Sequence, residues 1–299
     1  MEIIEEIRQF FASQLKGART AKSLSTDYPG LIIRDIDGFG VAIEWDNEDI
    51  ISEHFANAHL FSSKMLVSGE EKNFIILKSY REDLRNEFAS VCAQFLDPGK
   101  DGEERTALLS DPLSWWSRWK NLLGNSIADR TPYSVLGELL VLEHVLQSDN
   151  SARWTATHSG THDIEADSRS YEVKSTIKRY GAEVTISGQF QLLTPKPLEL
   201  HFIRMELSPA GVSINELVER LIALGYDRAQ IEYELYKQGY ERGSSARDIK
   251  YSILDRRIYD VNDSFPKIVD TSFKDEKIPQ GITHITYTVN LDGLTYMKY

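Results

Sequence analysis

Residues 160–176 read Gly-Thr-His-Asp-Ile-Glu-Ala-Asp-Ser-Arg-Ser-Tyr-Glu-Val-Lys-Ser-Thr, and this stretch decides how the chain is interpreted. Asp163 precedes a short polar turn, and Glu172 and Lys174 follow that turn inside a run typical of a β-strand. Residues two apart in a strand point to the same face. If the two runs pair as a hairpin, Asp163, Glu172 and Lys174 converge on one face. Two carboxylates beside one ammonium can hold a magnesium ion and steer a water at a phosphodiester.

An acid-x-Lys pair is by itself a weak motif, because this chain contains four: residues 70–72, 172–174, 248–250 and 275–277. Context separates them. Only the pair at 172–174 lies in a β-patterned run with an Asp upstream across a polar turn. The competing interpretation is a polar hairpin face with an ordinary surface ion pair, and the hairpin residues alone favour that interpretation.

Glu138 strengthens the case for a site. It lies in an apolar helical run, and its neighbours at i−3, i+3 and i+4 are Val135, Val141 and Leu142. A charge on so apolar a face is costly unless it has a partner, which a metal ion or Lys174 would supply. The alternative is a helix end at which Glu138 reaches solvent. Residues 143–144 point elsewhere on this helix and are expected on its solvated face.

The residue types suit one chemistry. Mg²⁺ takes hard oxygen ligands, which Asp163, Glu172 and the carbonyl of Val173 could provide. Glu138 would support the ion directly or through water, and Mn²⁺ could substitute. The ion would polarise a phosphate and lower the pKa of a bound water. Lys174 would orient that water and offset charge in the transition state.

The first third of the chain predicts a separate structural unit. Residues 2–15 have the spacing of an amphipathic helix, and short apolar runs separated by turn residues between 28 and 80 predict an antiparallel sheet. A helix is expected at 82–96. Residues 97–105 are polar, with two Gly and one Pro, and form the best linker candidate. The expected domains are therefore an N-terminal helix and β-rich domain, 1–105, and a second domain, 106–299.

The second domain mixes helices with strands, which predicts an α/β (α+β) fold with a mixed central sheet flanked by helices. Asp111-Pro112 predicts a helix start, and the three Trp residues that follow it are expected in core or interdomain packing. Ser213 and Glu216 form a capping-box signature ahead of an apolar helix. A second helix at 228–238 and a final strand at 282–291 complete the pattern.

Composition narrows the classes of protein. Of 299 residues, 41% are hydrophobic and 27% charged, as in soluble globular proteins, and an expected cytoplasmic location fits the acidic N-terminus and the lack of a bilayer-length apolar run. The single cysteine, Cys92, is expected to be buried and inert, and it excludes a disulfide and a cysteine-rich zinc site. No P-loop and no Gly-x-Ser-x-Gly elbow is present.

Net charge is −12, but nucleic-acid binding depends on local surface rather than on the sum. Residues 169–204 contain six Lys or Arg and three Glu, which gives a local charge of +3. This excess is either a footprint for nucleic acid or a random fluctuation, and charge alone does not decide between them.

The order of helix Glu138, strand Asp163 and strand Glu172-Val173-Lys174 resembles the PD-(D/E)XK nuclease superfamily, whose core is restriction-endonuclease-like. His162 stands where the motif has Pro. Residues 187–192 are similar to the polar helix start that often follows the lysine strand in these nucleases. A Gln there sits near the metal or phosphate, a role that Gln189 or Gln191 could fill.

The whole chain is similar to a bacterial family of PD-(D/E)XK proteins that are often encoded beside phage-defence or restriction genes. The resemblance implies a Mg²⁺-dependent DNA endonuclease acting on double-stranded DNA, with Thr176, Lys178 and Arg179 contacting phosphate. Cutting both strands would imply a homodimer, and defence-system partner proteins are possible.

Two other classes remain open. A non-catalytic DNA-binding or assembly subunit would keep the fold without the chemistry, although the intact Asp-Glu-Lys set argues against it. A carboxylate-pair hydrolase acting on sugars would leave Lys174 without a role.

Overall fold

The computed structural model describes residues 2–13, 15–55, 58–67, 69–123, 131–155, 162–188, 191–192, 194–276, 278–279, 282 and 284–298. The chain divides into two compact units. The first comprises Met1–Ala128 together with Glu241–Ser245, and the second comprises Asp129–Tyr240 and Ala246–Tyr299.

A six-stranded antiparallel sheet forms the centre of the first unit, in the order β1-β2-β3-β6-β5-β4. Its strands are β1 (Gly17–Thr20), β2 (Leu31–Arg34), β3 (Phe39–Glu44), β4 (Ser52–Phe55), β5 (Ala58–Val67) and β6 (Glu70–Ser79). The predicted antiparallel sheet is confirmed. Strands β1 and β4 escape the sequence pattern because neither contains an apolar run, and the residues of β1 are mostly exposed.

Helices cover this sheet and supply much of its core. They are α1 (Ile3–Ala12), α2 (Arg85–Leu96), α3 (Glu103–Ser110) and α4 (Pro112–Leu123). Ile7, Phe10 and Phe11 bury the apolar face of α1, as the amphipathic pattern predicts. Cys92 is buried, and burial raises the pKa of its thiol, so the expected inert cysteine is confirmed.

The segment at 97–105 is not a linker. A 3-10 helix (Lys100–Gly102) leads directly into α3, and Arg105 is buried. Its guanidinium donates to the carbonyls of Pro29 and Leu96, both at 2.8 Å. Leu108, Trp115 and Trp116 belong to the core of the first unit, which confirms core packing for these aromatics. The sequence divides the domains at residue 105, whereas this compact unit extends through α3 and α4.

The second unit contains a five-stranded mixed sheet in the order β12-β11-β9-β8-β7. Its strands are β7 (Arg153–Trp154), β8 (Ile164–Glu165), β9 (Ser170–Thr176), β11 (Leu198–Val212) and β12 (Tyr251–Asp260). Strands β9 and β11 are parallel, and the other neighbours are antiparallel. A separate antiparallel pair joins β10 (Glu183–Ile186) to β13 (Tyr287–Asn290).

The described part of the second unit also contains the α-helices α5 (Pro132–Leu146), α6 (Ile214–Ala223) and α7 (Arg228–Lys237). Helix α5 packs against β9 and α6, and ten of its residues are buried. The capping box of Ser213 and Glu216 forms as predicted, with both reciprocal hydrogen bonds present. The predicted mixed α+β fold is confirmed. None of the described helices is both long enough and apolar enough to cross a membrane.

Candidate active site

The β8–β9 hairpin builds the centre of the site. Ile164 pairs with Tyr171 and Glu165 with Ser170, so continuing this register places Asp163 opposite Glu172. The turn closes through a hydrogen bond from the amide of Ala166 to the carbonyl of Arg169, 2.9 Å long. The hairpin predicted from the sequence is therefore confirmed, although β8 is only two residues long and Asp163 lies just before it.

Asp163 is fixed against β9 by its own carboxylate. Its Oδ2 atom accepts a hydrogen bond of 2.8 Å from the backbone amide of Val173. The backbone of Asp163 is also held, because its carbonyl accepts from the amide of Thr155 at 2.9 Å. Thus Asp163 and the residue between Glu172 and Lys174 are in direct contact.

Glu172 and Lys174 are joined as the i, i+2 spacing in a strand predicts. The ammonium of Lys174 lies 2.8 Å from Oε1 of Glu172. Glu172 is 2% exposed, whereas the Lys174 side chain is 18% exposed, so the ammonium is the more accessible of the two. Because Glu172 is buried, the pair is not an ordinary ion pair on the surface.

Glu138 reaches the interior and not solvent, so the helix-end alternative is wrong. Its side chain is 3% exposed, and its Oε2 atom accepts a hydrogen bond of 2.8 Å from the indole N–H of Trp154 on β7. Gly137 permits the close approach of α5 to β9, because a Cβ at that position would lie 1.9 Å from Oγ of Ser175. Residues 143–144 are half-buried and not fully solvated.

Of the two glutamine candidates, the structure describes Gln191, whereas Gln189 lies outside the described residues. The amide Nε2 of Gln191 donates to Oε1 of Glu172 at 2.5 Å, and its Oε1 accepts from the backbone amide of Ser187 at 2.8 Å. Residues 191–192 belong to a turn, so the helix start expected at 187–192 is wrong for these two residues. Gln191 therefore contacts the carboxylate of Glu172, which sequence spacing alone left open.

A loop with exposed cations follows β9. Lys178 and Arg179 are exposed, and the amide of Lys178 donates to Oγ1 of the half-buried Thr176 at 3.1 Å. The guanidinium of Arg204, 7% exposed, donates to the carbonyls of Lys178 and Gly181 at 2.6 and 2.8 Å. Sequence reasoning counted Arg204 only as part of the local basic excess, because a buried clamp on a distant loop has no sequence signature.

A polar network borders the hairpin. His162 Nδ1 lies 2.9 Å from Glu165 Oε1, and the hydroxyl of Ser170 donates to Glu165 Oε2 at 2.8 Å. Burial by itself would raise the pKa of Glu165, but the hydrogen bonds from Ser170 and His162 and the nearby Lys196 lower it overall. The motif did not identify Trp154 or the residues of this network, Glu165 and Ser170, as part of the surroundings of the site.

The donor set fits a hard divalent ion. Glu138, Asp163 and Glu172 supply carboxylate oxygens, the type of ligand that Mg²⁺ and Mn²⁺ prefer. Each of these carboxylates is buried, and a divalent cation would offset their charge. Their oxygen atoms do not all lie within 4.8 Å of one another, so the side chains would have to draw together to share one ion.

Comparison with known proteins identifies the family of the chain. Residues 44–292 match the family described as "Putative PD-(D/E)XK family member, (DUF4420)". The match covers most of the chain, including the residues from Glu138 to Lys174. The chain therefore belongs to this PD-(D/E)XK family. No curated protein and no solved structure matches it.

Proposed function

We propose that this protein is a divalent-metal-dependent endodeoxyribonuclease whose active site comprises Asp163, Glu172 and Lys174, with Glu138 in support. The observation that carries the proposal is the contact of Lys174 Nζ with Glu172 Oε1 at 2.8 Å, on the strand whose Val173 amide binds Asp163. Asp163 is thus tied to the strand that carries Glu172 and Lys174, which supports the proposal.

The residues of the site divide the proposed reaction between metal binding, proton donation and positioning. Asp163 and Glu172, with the carbonyl of Val173, would hold Mg²⁺ or Mn²⁺; such an ion supplies Lewis acidity toward a phosphate oxygen and a bound water. Lys174 donates to the attacking water or to the phosphate, and its charge opposes the negative charge that develops there. Gln191 holds Glu172 in place through its amide.

The proposed substrate is double-stranded DNA. Lys178 and Arg179 are exposed on the loop after β9, where they would contact phosphates without reading bases. Thr176 comes shortly before them in the sequence, and Gln189 comes ten residues after Arg179. The family resemblance implies a role in restriction or phage defence. It also implies a homodimer and defence-system partner proteins, and we include all three in the same proposal.

The experiment is cleavage of plasmid and phage DNA in Mg²⁺ or Mn²⁺, with a chelator as blank. We expect Lys174→Met to lower the rate about 100-fold or more, since the loss of one positioned proton donor costs that much. Lys237→Ala is the matched control, because Lys237 is an exposed lysine at the end of α7 in the same unit. Circular dichroism checks that each variant folds.

Equal cleavage by wild type and Lys174→Met would overturn the assignment of Lys174. Wild-type protein that binds DNA without cutting any of these substrates, alone or with proteins encoded beside it, would favour the non-catalytic DNA-binding subunit instead.

A further inference from the structure

A second group of metal-binding side chains lies in the first unit. His54 and His59 face each other across the β4–β5 pair, and Glu241 belongs to the short segment Glu241–Ser245 of the same unit. One donor atom from each of the three lies within 4.8 Å of the other two. Among the residues that the structure describes, no other three His, Cys, Asp or Glu side chains meet this condition.

The backbone holds Glu241 against this hairpin. The amide of Ser52 donates to the carbonyl of Gly243 at 3.2 Å, and the amide of Ser245 donates to a carboxylate oxygen of Glu53. Gly243 has φ +90°, and a Cβ there would lie 2.4 Å from the carbonyl oxygen of Ile50. Only glycine fits this close approach. Backbone contacts of its segment therefore fix the position of Glu241, the third ligand.

The donor atoms already converge on one point. His54 Nε2 lies 2.7 Å from Oε1 of Glu241, and His59 Nε2 lies 4.0 Å from Oε2. The hydroxyl of Ser52 lies between them, 2.9 Å from His59 Nε2 and 2.5 Å from Glu241 Oε2. Ligands of a tetrahedral zinc ion with bonds of about 2.0 Å lie about 3.3 Å apart, so the observed separations bracket the required distance.

We propose that His54, His59 and Glu241 bind one Zn²⁺-class transition-metal ion, a site separate from Asp163 and Glu172. Two imidazoles and one carboxylate suit Zn²⁺ and leave at least one position for water. The ion ties the β4–β5 pair to Glu241–Ser245. Mg²⁺ is a poor occupant, because it prefers an all-oxygen shell.

Binding requires one movement. The rings of His54 and His59 are stacked, with centroids 3.7 Å apart and an angle of 18° between planes. A nitrogen lone pair lies in the plane of its ring, so the rings have to rotate out of the stack to share an ion. His54 is 41% exposed at its side chain and is the ring with room to turn. The ion then replaces the His54–Glu241 hydrogen bond and the Ser52 relay.

Burial and neighbouring groups shift the pKa values of both His59 and Glu241. Burial, with the neighbouring His54, lowers the pKa of His59 to about 4, so its imidazole is neutral. The hydrogen bond from His54 is the main cause that lowers the pKa of Glu241 to about 2, so its carboxylate is charged.

The test is metal binding by the full chain, purified without a polyhistidine tag. Equilibrium dialysis against Zn²⁺ with millimolar Mg²⁺ present, followed by elemental analysis, should give one zinc per chain. Because loss of a supporting contact already costs 10- to 100-fold in affinity, we expect His54→Ala, His59→Ala and Glu241→Gln each to weaken binding at least about tenfold. His284→Ala, an exposed histidine outside the cluster, is the matched control.

Co²⁺ provides a second measurement that does not depend on stability. A four- or five-coordinate nitrogen and oxygen site should give visible absorption in wild type and in Asp163→Asn, and the absorption should disappear in His54→Ala. Unchanged zinc stoichiometry in His54→Ala and His59→Ala would overturn the proposal and leave the cluster as a His–Glu ion pair. Zinc lost from Asp163→Asn but retained by His54→Ala would assign the ion to the other site and also overturn it.

Discussion

The carboxylate of Asp163 accepts a hydrogen bond of 2.8 Å from the backbone amide of Val173, the residue that separates Glu172 from Lys174. This bond ties the aspartate to the strand that carries the other two active-site candidates. It also means that Asp163 has a structural task in addition to the metal-binding task that we propose for it. A useful substitution has to separate the two tasks.

Asp163→Asn does so. The amide oxygen of Asn can still accept from Val173, so the hairpin should persist, while the charge that would hold a cation is lost. We expect cleavage to fall by at least about 100-fold and the Mn²⁺ affinity of this site to fall with it. Asp167→Asn, an exposed carboxylate in the same hairpin, should leave both unchanged. Asp163→Asn protein that folds and cuts at the wild-type rate would contradict the proposed site.

The indole N–H of Trp154 donates a hydrogen bond to the buried carboxylate of Glu138. Trp154→Phe removes this donor, and a hydrogen bond to a charged group contributes about 1.5–3 kcal/mol. We expect the second unit to lose about that much in its free energy of unfolding, in addition to the cost of the smaller side chain. Urea denaturation followed by far-ultraviolet circular dichroism measures the loss.

A double-mutant cycle isolates the hydrogen bond from the change in volume. In a Glu138→Gln background the same Trp154→Phe substitution should cost less, because the neutral amide demands less from its donor. Equal costs in the two backgrounds would show that the charge of Glu138 adds nothing to the contribution of Trp154.

Local pattern predicted much of the fold and the centre of the site. Strand β2 forms in one of the short apolar runs between residues 28 and 80, and the capping box places the start of α6. The hairpin around Asp163 and Glu172 also follows from spacing, because strand periodicity and turn chemistry are short-range properties.

Other features depend on residues that are distant in sequence. Strand β12 escaped prediction because Asp255, Arg256 and Arg257 interrupt its apolar pattern, and it forms by pairing with β11. Arg105 looked like part of a polar linker, yet its guanidinium is satisfied by carbonyls near residues 29 and 96. The same limit explains why Trp154 was not foreseen as the partner of Glu138.

Glu6 on α1 gives the first unit a pH-dependent contribution to stability. The carboxylate is buried and accepts from the amides of Lys22 and Ser23 at 2.9 and 2.8 Å, and from the Ser23 hydroxyl at 2.7 Å. Burial alone would raise the pKa of Glu6, but these hydrogen bonds lower it below its usual value. The stabilisation is therefore complete above the pKa of the unfolded chain, about 4.3, and is lost as pH falls through the lower pKa of the folded state.

Glu6→Gln should accordingly lower the free energy of unfolding by about 1.5–3 kcal/mol at pH 7, and the difference from wild type should shrink toward acid pH. Tryptophan fluorescence in urea reports mainly on the first unit, which contains Trp45, Trp115 and Trp116 in its core. Glu5→Gln, one residue earlier and exposed, is the control and should have little effect at any pH. A Glu6→Gln effect that stays constant down to acid pH would contradict a role for the charge.

Lys178 and Arg179 are expected to contact DNA phosphates from the loop that follows β9. Replacing both with Ala removes two such contacts, which should reduce the slope of log binding constant against log salt by about 1.8. Fluorescence anisotropy with a duplex in Ca²⁺ measures binding while limiting cleavage. Lys16→Ala with Lys22→Ala makes the same change in net charge in the first unit, and it should leave the slope unaltered.

A substitution at Arg204 tests whether DNA binding depends on the position of this loop as well as on its charge. Its buried guanidinium binds the carbonyls of Lys178 and Gly181, so Arg204→Lys keeps the charge but cannot donate to both carbonyls in the same planar geometry. We expect weaker DNA binding with the salt slope nearly preserved, because the loop cations remain but are no longer held in one place. A slope that falls as far as in the Lys178 and Arg179 double variant would instead show that Arg204 itself contacts phosphate. Unchanged affinity would show that the position of this loop does not matter for DNA binding.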